Sequence, residues 1–327
     1  MTKRLRTAMA VIAAVALTGC AYTPQRVASP DSSQNLPPAI DDARFDKLLE
    51  DTQAFSNAGD AAKDAAKLGA RFVDPARLMR HGEYVIAANT RGAQLPALPL
   101  TKPQAKVVGQ ATDWPRYVFS LSPSVANQPL YVFGFVQSQA RANYALWGYV
   151  KLFPKTKFPT TFKPEIGSPA LSADSKDFVM KPGLVTQSYV TLLNNPNDPL
   201  KNQFDTSLDS FWAHLAKIRK DYQDLAARTP GSEASLSVKS GTNGFIALGT
   251  TNSSALMMTT VVYDVVTKSP RPLNLSPAAK AFSGKATAGT LTETHTVTLL
   301  ISVPPAGSAD KVKVLGAAEA PTAMSAS

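Results

Sequence analysis

Only one cysteine stands among the 327 residues, so no disulfide framework can form within the chain. No uncharged apolar run reaches the roughly 18 residues that cross a bilayer, which excludes a polytopic helical membrane protein. Histidine is scarce. His81, His214 and His295 are scattered, with no second ligand at metal spacing, so no metal site is expected. A phosphate loop, Gly-x-Gly-x-x-Gly, His-Glu-x-x-His and Gly-x-Ser-x-Gly are all missing, and no cofactor is implied. What is present is ordinary for a folded protein: 44% hydrophobic and 18% charged residues, with 34 Lys+Arg against 24 Asp+Glu. That composition excludes disorder throughout, and the length allows two domains with real cores.

The N-terminus reads as an address. Lys3, Arg4 and Arg6 precede an apolar stretch from Ala8 to Leu17, too short to span a membrane but long enough for the core of a signal peptide. Leu17-Thr18-Gly19-Cys20 follows and matches the bacterial lipobox: a branched apolar residue, two small ones, then the only cysteine of the chain. The small residues let a membrane peptidase reach the backbone, and the thiolate is the nucleophile that takes up diacylglycerol. Each buried CH₂ contributes about 0.8 kcal/mol, so two or three acyl chains anchor stably where one does not. The expectation is a signal peptide over 1–19, lipid attachment at Cys20, and a mature protein on the extracytoplasmic face of the cell membrane, held to the bilayer through Cys20.

Pro24, Pro30, Pro37 and Pro38, with Ser, Asn and Gln between them, mark residues 20–38 as the lipidated cysteine and a flexible tether. Two similar cassettes follow. In the first (39–165), Asp41 and Asp42 start a helix carrying Phe45, Leu48, Leu49 and Thr52; Gly59 is expected to end it and Asp60 to cap the next. A third stripe of Leu78, Met79, Val85 and Ile86 precedes a proline-rich connection, and strands are then expected at Arg116–Leu121, Leu130–Gln137 and Asn143–Phe153. The second cassette (183–316) repeats the order. Val185, Tyr189, Leu192 and Leu193 lie on one helix; Leu208, Phe211, Trp212, Leu215, Ile218, Tyr222 and Leu225 stripe a longer one. Strands are expected at 236–239, 244–250, 255–266 and 290–303, with a last one near 311–315, a long loop at 267–289 and a disordered tail at 317–327. Helices followed by consecutive strands, twice over, predict an α+β protein of two tandem domains, each with N-terminal helices packed on a curved antiparallel sheet. That element order resembles the nuclear-transport-factor-2-like fold.

Three stretches could carry chemistry. Lys239-Ser240-Gly241-Thr242 resembles a box of penicillin-binding enzymes, but its Ser-x-x-Lys partner occurs only afterwards, at Ser308–Lys311, in the wrong order. On the strand from Leu291 the odd positions put Glu293 and His295 on the apolar face about 7 Å apart. At a pocket mouth they would make a general acid–base pair; at a strand end leaving the core both would be solvated. From Arg141 to Lys163, five cations interleave with Tyr144, Trp147, Tyr149, Phe153, Phe158 and Phe162, a mixture suited to a sugar or an anionic wall polymer or, equally, to packing beside a solvated turn. Trp147 and Tyr149 join Glu293 and His295 as candidate pocket residues.

The lipobox, Trp114-Pro115-Arg116, the run from Ala140 to Pro154, the run from Val297 to Pro304 and Lys311–Gly316 together resemble an uncharacterised family of secreted actinobacterial lipoproteins. That resemblance implies envelope localisation and assigns no catalytic residue. The sequence therefore predicts a noncatalytic binding or structural protein of the cell envelope. Its expected partners are the bilayer, a cell-wall polymer or an envelope protein, and nucleic acid is not among them. A pocket enzyme using Glu293 and His295, or a ligand-capture lipoprotein serving a transporter, are the alternatives.

Overall fold

Asp41 Oδ1 accepts the Arg44 amide at 2.9 Å and opens helix α1 (Asp42–Ala62), which buries Phe45, Leu48, Leu49 and Thr52. The computed structural model describes residues 36–111 and 113–327; the expected signal peptide, Cys20 and nearly all of the tether lie outside them. Gly59 does not end α1. It sits inside the helix, where a Cβ would meet Tyr84 Oη at 2.5 Å, so its use is close packing. Asp60 is likewise internal, and Asp64 caps the next short turn by accepting the Ala66 amide. Helix α2 (Ala76–Asn89) completes the first helical layer.

Four strands then run as an antiparallel meander: β1 (Ala105–Val108), β2 (Arg116–Leu121), β3 (Tyr131–Gln137) and β4 (Ala145–Leu152). The second half follows the same order. It has α3 (Pro182–Asn194), a two-residue strand β5 (Phe204–Asp205), α4 (Ser210–Ala227), β6 (Glu233–Gly249), β7 (Ala255–Asn274), the short α5 (Pro277–Ser283), β8 (Thr287–Val303) and β9 (Val312–Ala326). Strands β6 to β9 form a second antiparallel meander. The stripe on α4 is narrower than its sequence pattern: Phe211 and Leu215 are buried, whereas Leu208 and Leu225 are exposed.

The protein is thus α+β, with nine strands in one sheet among the described residues, ordered β1-β2-β3-β4-β9-β8-β7-β6. All its pairings are antiparallel except that β5 joins β9 in parallel. The two meanders meet last strand to last strand, where Lys151 and Leu152 pair with Ala317 and Gly316. Alternation then separates three apolar layers. Tyr131, Phe133 and Phe135 face α1 and α2. Val261, Val297, Leu299 and Ile301 face α3 and α4. The opposite faces of the two meanders pack on each other: Val107, Phe119, Val132 and Val150 meet Ile246, Leu248, Leu256, Met258 and Leu300. Gly134 and Gly148 make room for Met258, whose Sδ would lie 2.9 and 2.8 Å from a Cβ at those positions. Each large side chain in this shared layer contributes roughly 1.5–3 kcal/mol by leaving water. The sheet and this layer carry the fold across the 164–182 boundary, and the described residues belong to one compact unit.

Three expectations change. Residues 317–327 are not a disordered tail: all but the last belong to β9, with Ala318 and Ala320 buried under α2. Small residues suggested disorder, yet small residues are what allow a helix to lie this close. A Cβ on Gly82 of α2 would collide with Pro321 O. The 267–289 loop is mostly ordered, because β7 runs to Asn274 and Ser276 caps α5 through the Ala279 amide. The strands expected at 236–239 and 244–250 are one strand, β6, with a register shift between Ser240 and Phe245.

Candidate functional site at the seam

The face of β9 that looks toward the helices carries Glu319, paired across the ladder with Val297 of β8. Tyr263 on β7 and His295 on β8 are cross-strand partners, so adjacent strands hold their rings one above the other, 4.6 Å apart and 10° from parallel. Both reach Glu319 Oε1: Tyr263 Oη donates to it at 2.5 Å and His295 Nδ1 lies 3.0 Å away. Helix α4 adds His214 one turn beyond Phe211, with Nε2 3.4 Å from Glu319 Oε2. Burial by itself would raise the Glu319 carboxyl. The hydrogen bonds from His214, His295 and Tyr263 outweigh it and bring the group down to about 2. Its hydrogen bond to Glu319 raises His214, against the opposing effect of burial.

Across the seam the first half supplies a second charged group. Arg80 on α2 is fully buried. Its Nε and Nη2 donate to the two Asp60 oxygens at 2.9 and 2.6 Å, and Nη1 donates to Glu83 Oε2 at 2.6 Å and to Pro96 O at 2.9 Å. Tyr84 Oη donates to Asp60 at 2.7 Å and Tyr149 Oη to Glu83 Oε1 at 3.0 Å. Burial pushes the Glu83 carboxyl up, while Arg80 pulls against it. Burial first, then the charge on Glu83, holds the Tyr149 phenol protonated far above its ordinary range. Between these two groups lies a cavity of about 380 Å³, near the lower size limit for small-molecule sites. Tyr149, Phe153, Phe211 and Ala317 give it apolar walls; Glu83, Lys151, His214 and Glu319 give it polar ones.

The candidate residues read from the sequence separate as follows. Glu293 and His295 do share the helix side of β8, but they are neither a pair nor solvated. Glu293 accepts from Tyr222 Oη on α4 at 2.6 Å, and His295 is taken by Glu319. Tyr149 lines the cavity. Trp147 does not, being buried between the two meanders. Although two positions apart on β4, Trp147 and Tyr149 face opposite sides, because a bulge lies opposite Gly134/Phe135. Four of the six aromatic side chains of the 141–163 stretch, Tyr144, Trp147, Tyr149 and Phe153, are buried and Phe158 and Phe162 are half-buried, so they form no exposed stacking strip. In the 239–242 box Lys239 pairs with Asp264 at 2.9 Å on an exposed strand. Cys20 lies outside the described residues.

Sequence reasoning missed Glu319, Glu83 and Arg80. Glu319 is the lone charge in the run Ala317-Ala-Glu-Ala320, and that isolation was the available signal. Among the described residues no group of three or more His, Cys, Asp and Glu side chains is placed to hold a metal ion. No described helix is long and apolar enough to cross a membrane. Set against known proteins, the chain matches no family model, no curated sequence and no solved structure.

Proposed function

We propose that the chain is a lipoprotein anchored through Cys20 on the extracytoplasmic face of the membrane, and that its seam cavity binds a small ligand without transforming it. The lipobox at Leu17–Cys20 supports the anchor. One observation carries the noncatalytic reading: both cavity carboxylates are engaged by protein donors. Glu319 is held by Tyr263, His295 and His214, and Glu83 by Arg80 and Tyr149. A carboxylate as acidic as Glu319 is a poor general base near neutral pH. Glu293 and His295, the alternative acid–base pair, are each occupied by another partner. We further read the halves as two tandem α+β domains of nuclear-transport-factor-2-like outline, supported by the repeated order of helices before a four-stranded meander.

Two measurements test this reading. Cells grown with labelled palmitate should label the wild-type chain and leave Cys20→Ser unlabelled and released from membranes; an unlabelled wild type removes the anchor. A metabolite and wall-fragment screen should raise the melting temperature of the purified protein through ligand linkage, and Phe211→Trp at the cavity wall should abolish that rise. Turnover of any screened compound that disappears in Glu293→Gln or His295→Ala would establish an enzyme instead.

A further inference from the structure

A second cavity, of about 350 Å³, opens on the first half and shares no lining residue with the seam cavity. Its walls come from α1, from Arg71, from the start of β2 and from the β3–β4 connection. Four cations line it, Arg44, Lys47, Arg71 and Arg116, against a single carboxylate, Asp51. That carboxylate is already shared, taking Arg71 Nη2 at 2.6 Å and Lys47 Nζ at 3.1 Å. Arg44 in turn pairs with Asp41 at 3.3 Å, just outside the lining, so two positive charges remain in excess at this site.

Two buried donors there lack partners. Arg116 Nε is buried with no hydrogen-bond partner among the described residues, its guanidinium resting 4.3 Å above the exposed Trp114 ring. Tyr144 is 7% exposed, and its hydroxyl is likewise buried and unpartnered. Burial keeps that phenol protonated, pushed up to about 12, so it is a hydrogen-bond donor at any physiological pH. An unmade bond at a buried polar group costs about 1–3 kcal/mol, so two such donors beside one cationic cavity need a common acceptor.

We infer that this cavity binds a phosphate-bearing group, with Arg116 and Tyr144 donating to its oxygens and Arg44 and Lys47 closing over the charge. A phosphate monoester carries about −1.5 to −2 charge and three acceptor oxygens, which matches two excess cations and two free donors better than one carboxylate does. The phosphate belongs either to a soluble ester or to a lipid headgroup.

Calorimetric titration of the chain from residue 20, carrying Cys20→Ser, separates these cases. Glycerol 3-phosphate is expected to bind saturably and at least ten-fold more tightly than succinate. Arg116→Gln should weaken binding at least ten-fold, and Tyr144→Phe several-fold. The unliganded melting temperature of Tyr144→Phe should stay at or above that of the wild type, because the deleted hydroxyl makes no bond. Arg116-dependent recruitment of phosphatidic acid vesicles, whose headgroup is a phosphate monoester, over net-neutral phosphatidylcholine, without binding of the free ester, assigns the phosphate to a headgroup. Absence of saturable binding to both ester and vesicle, succinate binding as well as the ester, or affinity unaltered in both variants overturns the proposal.

Discussion

Replacing Glu319 by Gln should remove a specific share of the pH dependence of stability. The carboxyl is held at about 2 against an ordinary 4.5, and its side chain is only 23% exposed, so solvent screening is limited. At about 1.36 kcal/mol for each tenfold change in proton affinity, that depression is worth about 3 kcal/mol. Because the folded value lies below the unfolded one, this stability is fully present above about pH 4.5 and is lost as the pH falls toward 2. Linkage leaves about 1.4 kcal/mol at pH 3, so about 2 kcal/mol disappears between pH 6 and pH 3. Glutamine keeps the shape and does not titrate. Urea unfolding of wild type and Glu319→Gln at a series of pH values should therefore show the wild type ahead by about 3 kcal/mol at pH 6, the gap shrinking by about 2 kcal/mol at pH 3. Other carboxylates act in both proteins and cancel in the difference. A gap that is constant or grows on acidification refutes the assignment of Glu319 as the anion at the centre of the seam.

Three further outcomes are expected. Gly82→Ala in α2, a change that ordinarily stabilises a helix by about 0.5–1 kcal/mol, should instead lower the denaturation midpoint, because the added methyl meets Pro321 O. Arg80→Leu should cost about 3–5 kcal/mol in chemical denaturation, since it leaves the nearly buried Glu83 and the half-buried Asp60 without their cation. For His214→Ala the sign runs opposite to Glu319: a raised imidazole contributes most below about pH 6.5, so the wild-type advantage should shrink as pH rises past its folded value. Proton titration by NMR of the His214 ring checks the same shift directly.

The fold was legible where periodicity was strong. Val185, Tyr189, Leu192 and Leu193 all lie in the core from one helix, and β2 has the bounds its alternation suggested. It was illegible where the reason for a residue is a distant neighbour. Gly59 reads as a stop signal locally but is required by Tyr84, and Asp60 reads as a cap but answers Arg80. The alanines of β9 have no apolar weight of their own and are explained only by α2 above them. The site was half legible. Period two placed Glu293 and His295 on one face, while their partners Tyr222 and Glu319 come from elements with no sequence link to them. Trp147 was misplaced by one bulge, which no single-strand pattern contains, while Tyr149 does line the cavity.

Strand β9 is synthesised after the other eight strands, yet it sits in the middle of the sheet order. Until it emerges, β4 and β8 each lack a neighbour, and the closing staple of the whole architecture is absent. The two meanders therefore have no strand pairing to join them until β9 is in place. A stop codon after residue 311 would delete the keystone rather than trim a fringe, and should leave an insoluble product with two ragged half-sheets.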